Sequence, residues 1–336
     1  MLKKSLLTLA VCGVCLLSSH LCLAEEAVAE HKMINGLRYF KTMYDAKPSS
    51  EVMKIKMGSR SENVGGHHED LKEQTEGLPM AFRPTVNKDE AWILDSINGA
   101  LKLFKAGKLK RFISLKDFGG IIQDFAISKD NKLFAFLNAK TGAVYVTDDR
   151  GKVKNSFTGY ESALSIEFSS NNDLLIVSPL ARGVVQVSVE GAPLGVYEAD
   201  QSLSNISTEK GLWGIDYFEP TKAKLYVRKG SNVKIVKTFV FDEYKDVEYK
   251  VGNIYGVDAE GNICFGLVAC DLNGIIYRDR IYWCNQNGKV LKELDVIDDP
   301  ILSPELPRHR IVCPDGDVMT FYCNEEVYAI RRYSMK

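Results

Sequence analysis

Residues 93–112, ILDSINGALKLFKAGKLKRF, contain the pattern that decides the fold. Short apolar runs alternate in this stretch with the turn-forming sequences Ser-Ile-Asn-Gly and Ala-Gly. Strand-forming residues between such turns predict antiparallel strands joined by tight hairpins, with positive φ at the turn glycine. The same phrase returns as FLNAKTGAVYVTDDRGKV from Phe136 and as VSPLARGVVQVSVEGAPL from Val177.

The spacing of the repeated glycines predicts the architecture. In one set, Gly99, Gly142 and Gly183 lie 43 and 41 residues apart, and in the other, Gly107, Gly151 and Gly191 lie 44 and 40 residues apart. A further strand and turn precede each phrase, which makes four strands per unit. A period near forty residues with four short strands is typical of the blades of a β-propeller.

The count of units predicts an all-β fold, a six-bladed β-propeller of four-stranded blades, with seven blades as the alternative. The six units cover residues 82–115, 121–158, 163–198, 202–241, 251–297 and 306–333, within one domain over residues 51–336. The last unit contains three strands. Residues 51–58, EVMKIKMG, are predicted to supply its fourth strand, which would close the ring and leave no open sheet edge at the junction.

The first unit resembles the NHL-repeat family. In PTVNKDEAWILDSINGALKLF, Asp95, Asn98 and Phe104 match the family's pattern of a strand ending in Asp, an Asn in the turn, and a strand closing on Phe. The chain departs from that pattern where Gly-Ala follows Asn98, and where Asn138 and Ser178 replace the Asp in the next two units. The resemblance implies a six-bladed, NHL-like propeller that acts as a binding platform.

The N-terminal residues predict export. Residues 1–24 combine Lys3 and Lys4 with an apolar run and small residues before Glu25, which is the layout of a signal peptide cleaved after Ala24. We therefore expect a secreted or periplasmic protein whose mature chain has no membrane span. Residues 25–50 are predicted to be an N-terminal arm packed on the propeller or a flexible spacer. Apolar residues at intervals of three can mark a short amphipathic helix here, which Gly36 weakens and Lys47-Pro48 ends.

Charge and cysteine content narrow the function classes. The whole chain has 43 basic and 44 acidic residues, and loss of the two signal-peptide lysines leaves a mature charge of −3, which argues against a nucleic-acid partner. Five cysteines remain in the mature chain, and in an oxidising compartment they are candidates for one or two disulfides. They are Cys264, Cys270, Cys284, Cys313 and Cys323.

Candidate ligand-binding residues collect on one predicted face of the ring. In a propeller, the turns between the second and third strands share a face with the connections between blades, and loops on a rigid scaffold commonly carry function. The turns of the first three units place on it Asp95, Asn98, Asn138, Lys140, Ser178 and Arg182. In the fifth unit, residues 269–280 are predicted to lengthen the same loop and to add Asp271, Tyr277 and Arg278.

These patterns predict a non-catalytic platform that binds a protein or polysaccharide partner and needs no cofactor. One alternative is a hydrolase resembling the gluconolactonase-like propellers, which hold a divalent cation with Glu, Asn and Asp; Asp95, Asn98, Asp271 and Asp298 are candidate ligands here. Calcium at the acidic residues 241–250 and Asp298-Asp299 is a related alternative to a solvated charged loop. A structural role in an envelope assembly is the third hypothesis.

Overall fold

The structure is a computed structural model of the 336-residue chain. It describes residues 31–34, 37–65, 81–138, 140–181, 183–198, 206–219, 221–241, 249–271, 273, 275–297, 309–323 and 326–334. The predicted signal peptide, the candidate residue Arg182 and the acidic pair Asp298-Asp299 lie outside these residues. Within them, no helix has the length and apolar character needed to cross a membrane.

Twenty-seven strands, numbered in chain order, make up the described fold. The N-terminal region contributes β1 His31–Ile34, β2 Leu37–Phe40, β3 Lys47–Pro48 and β4 Ser50–Lys56, with a 3-10 turn at Lys41–Met43. The first blade contains β5 Ala81–Pro84, β6 Glu90–Asp95, β7 Ala100–Lys105 and β8 Lys108–Ser114, and a 3-10 turn at Lys116–Phe118 follows it. The second contains β9 Asp124–Ile127, β10 Leu133–Asn138, β11 Ala143–Asp148 and β12 Val153–Phe157.

The remaining strands continue the same order. The third blade contains β13 Ser165–Phe168, β14 Leu174–Ser178, β15 Gly183–Val187 and β16 Pro193–Glu198, and the fourth contains β17 Ile206–Thr208, β18 Gly211–Glu219, β19 Lys222–Lys229 and β20 Asn232–Val240. A larger sheet is built on β21 Tyr249–Val257, β22 Ile263–Cys270, β23 Ile275–Cys284 and β24 Val290–Ile297. The closing blade contains β25 Arg310–Val312, β26 Val318–Cys323 and β27 Val327–Tyr333.

The predicted all-β propeller of four-stranded blades is confirmed. Five sheets are four-stranded and antiparallel, and a sixth is a seven-stranded mixed sheet. In four of the five four-stranded sheets the second strand is almost wholly buried, because neighbouring sheets pack on both of its faces; the run EAWILD in β6 is an example. The second strand of the fourth blade, β18, buries five of its nine residues and ends in two exposed ones. The outer strand β8 instead alternates exposed and covered side chains, as expected for a strand at the rim.

The predicted pairing of the two chain ends is present. Strand β4 pairs antiparallel with β27, with Lys54 opposite Ala329 and Met53 opposite Ile330. Met53 and Ile55 are buried while the lysines between and after them are exposed, so the alternation in EVMKIK places one apolar side in the core. The closing blade therefore contains strands from both ends of the chain.

The turn glycines have the predicted backbone conformation. Gly107, Gly151 and Gly191 have φ of 75°, 84° and 87°. A Cβ atom at Gly107 would lie 2.5 Å from the carbonyl oxygen of Lys54 in β4. Glycine at this position thus serves both the hairpin turn and the close approach of the first blade to the closing strand.

The N-terminal arm is a β-hairpin that extends the seven-stranded sheet. Strand β2 pairs parallel with β23, and β3 pairs parallel with the end of β24. Tyr39 and Met43 are buried against Ile297. The expected amphipathic helix is wrong: Ile34 pairs with Leu37 across the Asn35-Gly36 dipeptide, and Asn-Gly strongly favours a two-residue hairpin turn.

Candidate functional site

The predicted loop-face residues of the first three blades lie at equivalent turns, between the second and third strands. Asp95, Asn138 and Ser178 are the last residues of β6, β10 and β14, and each is buried. Lys140 lies in the turn that follows Asn138 and is exposed. The structure therefore places these residues on one face of the ring, while the blades keep them apart.

Asp95 is at the centre of a buried network. Its Oδ1 accepts hydrogen bonds from the backbone N–H groups of Gly65 at 3.0 Å and Asn98 at 3.1 Å. Its Oδ2 accepts one from the Asn98 side-chain amide at 2.8 Å and lies 2.7 Å from the Lys102 ammonium. The Lys102 ammonium also donates to the carbonyl of Asn63 at 2.6 Å. This network fastens the segment after β4 to the first blade.

A divalent cation does not fit at Asp95. A metal bound to this carboxylate would face the Lys102 ammonium, a like charge, at short range. Asp271 belongs to a different sheet, and Asp298 lies outside the described residues. Among the residues that are described, no three His, Cys, Asp or Glu side chains lie together in a way that could hold a metal ion.

Other polar residues of this face close their own turns. Asn138 accepts a hydrogen bond from the N–H of Thr141 at 3.2 Å, and the Ser178 hydroxyl accepts one from Ala181 at 3.3 Å. Asp271 accepts two, from the N–H groups of Asn273 and Ile275, each at 2.8 Å. Short polar side chains commonly satisfy turn backbones in this way.

The expected long loop at residues 269–280 is wrong. Tyr277 and Arg278 lie within the ten-residue strand β23 and are both buried. The Asp271 turn is tight, and the β-branched and aromatic run Ile-Ile-Tyr continues the strand because it suits a pleated, packed surface. The guanidinium of Arg278 stacks 4.3 Å from the ring centre of Phe241, and burial raises the pKa of the neighbouring Tyr217 hydroxyl.

No disulfide joins the five cysteines, all of which lie in the described part of the chain. Cys284 lies opposite Ile263 in the register of the sheet, so these two side chains share a face. Cys264 follows Ile263 along the strand and therefore points to the other face, away from Cys284. Cys323 is the last residue of β26, a strand about 17 Å long, and Cys313 lies beyond the opposite end of that strand, where Val312 pairs with Val318. The two thiols are therefore too far apart for an S–S bond. The sequence cannot show this, since it gives neither face nor register.

Native thiol reactivity should follow burial. Burial raises the pKa of the Cys284, Cys313 and Cys323 thiols to about 12, and that of Cys264 well above its ordinary value. At pH 8 a thiol of pKa 12 is thiolate in roughly one molecule in ten thousand, rising tenfold per pH unit. With iodoacetamide at pH 8, mass spectrometry should find the partly exposed Cys270 modified first and the other four protected until denaturant is added. Rapid modification of Cys313 in the folded protein would contradict this prediction.

A cavity of about 620 Å³ opens on the other side of the ring. It is lined by the innermost strands of all six sheets and by turns between first and second strands, including Thr85, Ser128 and Pro314. Since successive strands run in opposite directions, these turns lie at the end opposite to the loop face. The cavity is thus the mouth of the central channel, on the face that the sequence analysis did not select.

Arg83 holds one wall of the cavity in place. From β5 its Nε and Nη2 atoms donate to the carbonyl of Phe125 in β9 at 3.1 and 2.7 Å. Nη2 also lies 3.3 Å from Oε2 of Glu167 in β13 and 3.7 Å from Oδ1 of Asp124. One guanidinium therefore connects the innermost strands of three blades and presents a fixed cation beside a carboxylate.

Arg310 occupies a similar position in the closing blade, whose innermost strand β25 contacts β5 of the first blade. From β25 it pairs with both carboxylate oxygens of Asp279 in β23, at 2.6 and 2.5 Å, and donates to the Tyr255 hydroxyl at 3.0 Å. Arg310 and Asp279 are 3% and 5% exposed. The planar guanidinium suits such bidentate pairing, which ties the closing blade to the seven-stranded sheet.

Aromatic and amide groups complete the cavity wall. The guanidinium of Arg111 lies over the ring of Trp92, 5.7 Å from the centre of that ring. The rings of Tyr255 and His309 meet edge to face, with their centres 6.5 Å apart. Asn253 of β21 lines the cavity and is half-buried. Sequence reasoning missed this site, although a single arginine inside the apolar runs AFRP and HRIV marks Arg83 and Arg310 as unusual for an innermost strand.

Solved structures that resemble this chain share little sequence with it. No family model and no curated protein matches this chain. The β-propeller fold resembles hydrazine synthase of Kuenenia stuttgartiensis, with 13% identity and a TM-score of 0.45, over 73% of this chain and 76% of that chain. It also resembles a streptogramin B lyase, with 10% identity and a TM-score of 0.45, over 76% and 93% of the two chains. BamB of Moraxella catarrhalis is 8% identical with a TM-score of 0.43, over 85% and 100%.

Proposed function

We propose that this protein is an exported, non-catalytic, six-bladed propeller that binds a partner protein or an extracellular polymer. In this proposal β21–β24 form the fifth blade and the N-terminal hairpin is an addition to it. The signal-like pattern of residues 1–24 supports export. The observation that carries the binding role is the cavity at the channel mouth, whose volume of about 620 Å³ lies within the range of small-molecule sites.

The cavity wall suits a polar, uncharged segment of a ligand. Arg83 and Arg310 are paired with carboxylates, so their charges are largely matched. The aromatic rings of Trp92 and Tyr255 offer apolar surface, and Asn253 offers an amide donor and acceptor. Hydroxyl groups of a polysaccharide and amide groups of a peptide both meet such a wall with hydrogen bonds and ring contacts.

Array binding with the mature protein, residues 25–336, tests this proposal. The probes are a glycan array and a peptide array, read with the labelled wild type, with Asn253→Trp, which fills the cavity, and with Lys140→Trp on the loop face. We expect a defined set of probes whose signal falls at least tenfold with Asn253→Trp and is unchanged with Lys140→Trp. Loss of signal with Lys140→Trp but not with Asn253→Trp would show that the loop face is the binding surface. Absence of any bound probe would contradict a binding role.

Mass spectrometry of the bound probes tests the non-catalytic part separately. Each probe is incubated with wild-type protein, with and without added calcium, and we expect its mass to be unchanged. A probe cleaved by the wild type and left intact by Asn253→Trp would show that the cavity is an active site.

A further inference from the structure

The fourth blade projects beyond its neighbour. Its three outer strands, β18, β19 and β20, have nine, eight and nine residues, whereas those of the third blade have five, five and six. Among the described residues, the apolar cluster that the two blades share is small: Leu175, Val184 and Leu212 are buried, and Val177 and Tyr197 pack against them. The outer part of the fourth blade is therefore left uncovered on the side that faces the third blade.

Apolar side chains line this uncovered part. In β20, Val233, Ile235 and Val240 are 48%, 55% and 70% exposed. The register places Ile235 opposite Tyr226 and Val233 opposite Arg228 in β19. Since Ala223 and Leu225 of β19 pack toward the seven-stranded sheet, the side chains of Tyr226, Arg228 and their partners in β20 point the other way.

The same hairpin is strongly basic. Residues 221–241 contain six basic residues and no Asp or Glu: Lys222, Lys224, Arg228, Lys229, Lys234 and Lys237. One of them, Lys222, pairs with Glu219 at 2.7 Å just outside the hairpin. Two copies of such an edge would repel each other, so its charge favours an acidic partner over a second copy of this chain.

An edge strand of this fold already accepts an added strand. At the end of β24, Val296 and Ile297 pair in parallel with Lys47 and Pro48 of the N-terminal arm. In the described part of the chain, β20 pairs only with β19. Its nine residues span about 30 Å. The register shifts at Val236, where the turn at Gly288 approaches the Val236 carbonyl oxygen, so the edge consists of residues 232–235 and 237–240 on either side of a bulge. An extended peptide can pair with the backbone groups of these two stretches.

We propose that β20 binds an extended acidic segment of a partner protein, which adds to the fourth blade as a fifth strand. Backbone hydrogen bonds to β20 supply affinity, as in other cases of strand addition. Alternate side chains of the segment meet Val233 and Ile235, while its carboxylates meet Lys234 and Lys237. This surface lies at the rim of the ring and is independent of the channel cavity.

Fluorescence anisotropy of the mature protein with labelled decapeptides tests the proposal. The probes are an alternating glutamate-valine peptide, its lysine-valine counterpart, and the glutamate-valine peptide N-methylated at alternate residues. N-methylation keeps the charge and side chains but removes backbone donors on one edge. We expect the glutamate-valine peptide to bind, and its two counterparts to bind at least tenfold more weakly.

Two charge-reversed variants locate the site. Lys234→Glu/Lys237→Glu alters β20, and Lys108→Glu/Lys110→Glu makes the same change on β8, the outer strand of the first blade, where both lysines are exposed. The β20 variant should weaken binding at least tenfold and the β8 variant less than twofold, with circular dichroism showing both folded. Equal binding of the N-methylated peptide, equal loss in both variants, or no binding at 1 mM peptide (roughly −4 kcal/mol) would overturn the proposal. So would a dimer in sedimentation that the β20 variant dissociates.

Discussion

Replacing Lys102 by methionine should lower the free energy of unfolding by about 3–5 kcal/mol, because it leaves the Asp95 carboxylate buried without its cation. Lys102 and Asp95 are both 0% exposed. Methionine fills most of the space of the lysine chain but cannot donate to Asp95 or to the carbonyl of Asn63. For the predicted propeller domain of 286 residues, 51–336, the melting temperature measured by calorimetry should fall by roughly 5–8 °C. Denaturant unfolding measures the loss of free energy directly.

Two further variants separate the buried pair from a general loss of lysine. Lys105→Met, on the same strand at a half-buried position, should change stability by less than about 0.5 kcal/mol. The double variant Asp95→Asn/Lys102→Met should lose less than the sum of the two single losses, since it removes the uncompensated charge. If Lys102→Met unfolds at the same denaturant concentration as the wild type, the buried network at Asp95 does not stabilise the protein.

Replacing Arg310 by methionine should have a comparable effect, a loss of about 3–5 kcal/mol. Asp279 would remain buried with no guanidinium, and the Tyr255 hydroxyl would lose a donor. The guanidinium also lies over the rings of Tyr255 and Tyr333, at 5.7 and 5.8 Å from their centres, so its stacking contacts are lost as well. Because Arg310 joins β25 to β23, the closing blade should become the first part to exchange its amide hydrogens.

Arg280→Met is the matched control for Arg310→Met. Arg280 also forms a bidentate pair, with Asp295 at 2.6 and 2.7 Å, but the two side chains are 27% and 30% exposed. Its replacement should cost about 1 kcal/mol or less, since water screens the charges and hydrates the remaining carboxylate. Similar losses in the two variants, measured by urea unfolding, would show that burial does not set the strength of these pairs.

The repeat and its turns could be predicted from the sequence because each has a local cause. Positive φ at Gly107 follows from the Ala-Gly turn, whereas the closing role of β4 follows from the count of three strands in the last unit. The NHL resemblance pointed to the same architecture, and no family model supports that family. The prediction of strands and turns therefore depended on residues that interact within a few positions of each other.

The candidate site was harder to predict because its contacts are distant in sequence. Lys102 resembles a solvent-exposed strand lysine until Asn63, 39 residues away, is placed above it. Arg310 meets Asp279 across 31 residues. Arg278 was predicted to lie in a loop because the extra residues in 269–280 could lengthen either the turn or the strands beside it. The number of residues is the same in both cases, so the sequence does not distinguish them. Which side of the ring holds the cavity depends on how six innermost strands converge.

The closing blade also constrains when the protein can finish folding. Lys56 of β4 pairs with Val327 of β27, so about 270 residues must be synthesised between the two partners. At about 5–20 residues per second, that interval lasts roughly 14–54 seconds. During this time β4 lacks the strand with which it pairs, and the ring cannot close. A chain with this topology can therefore complete its propeller only after β27 has been synthesised.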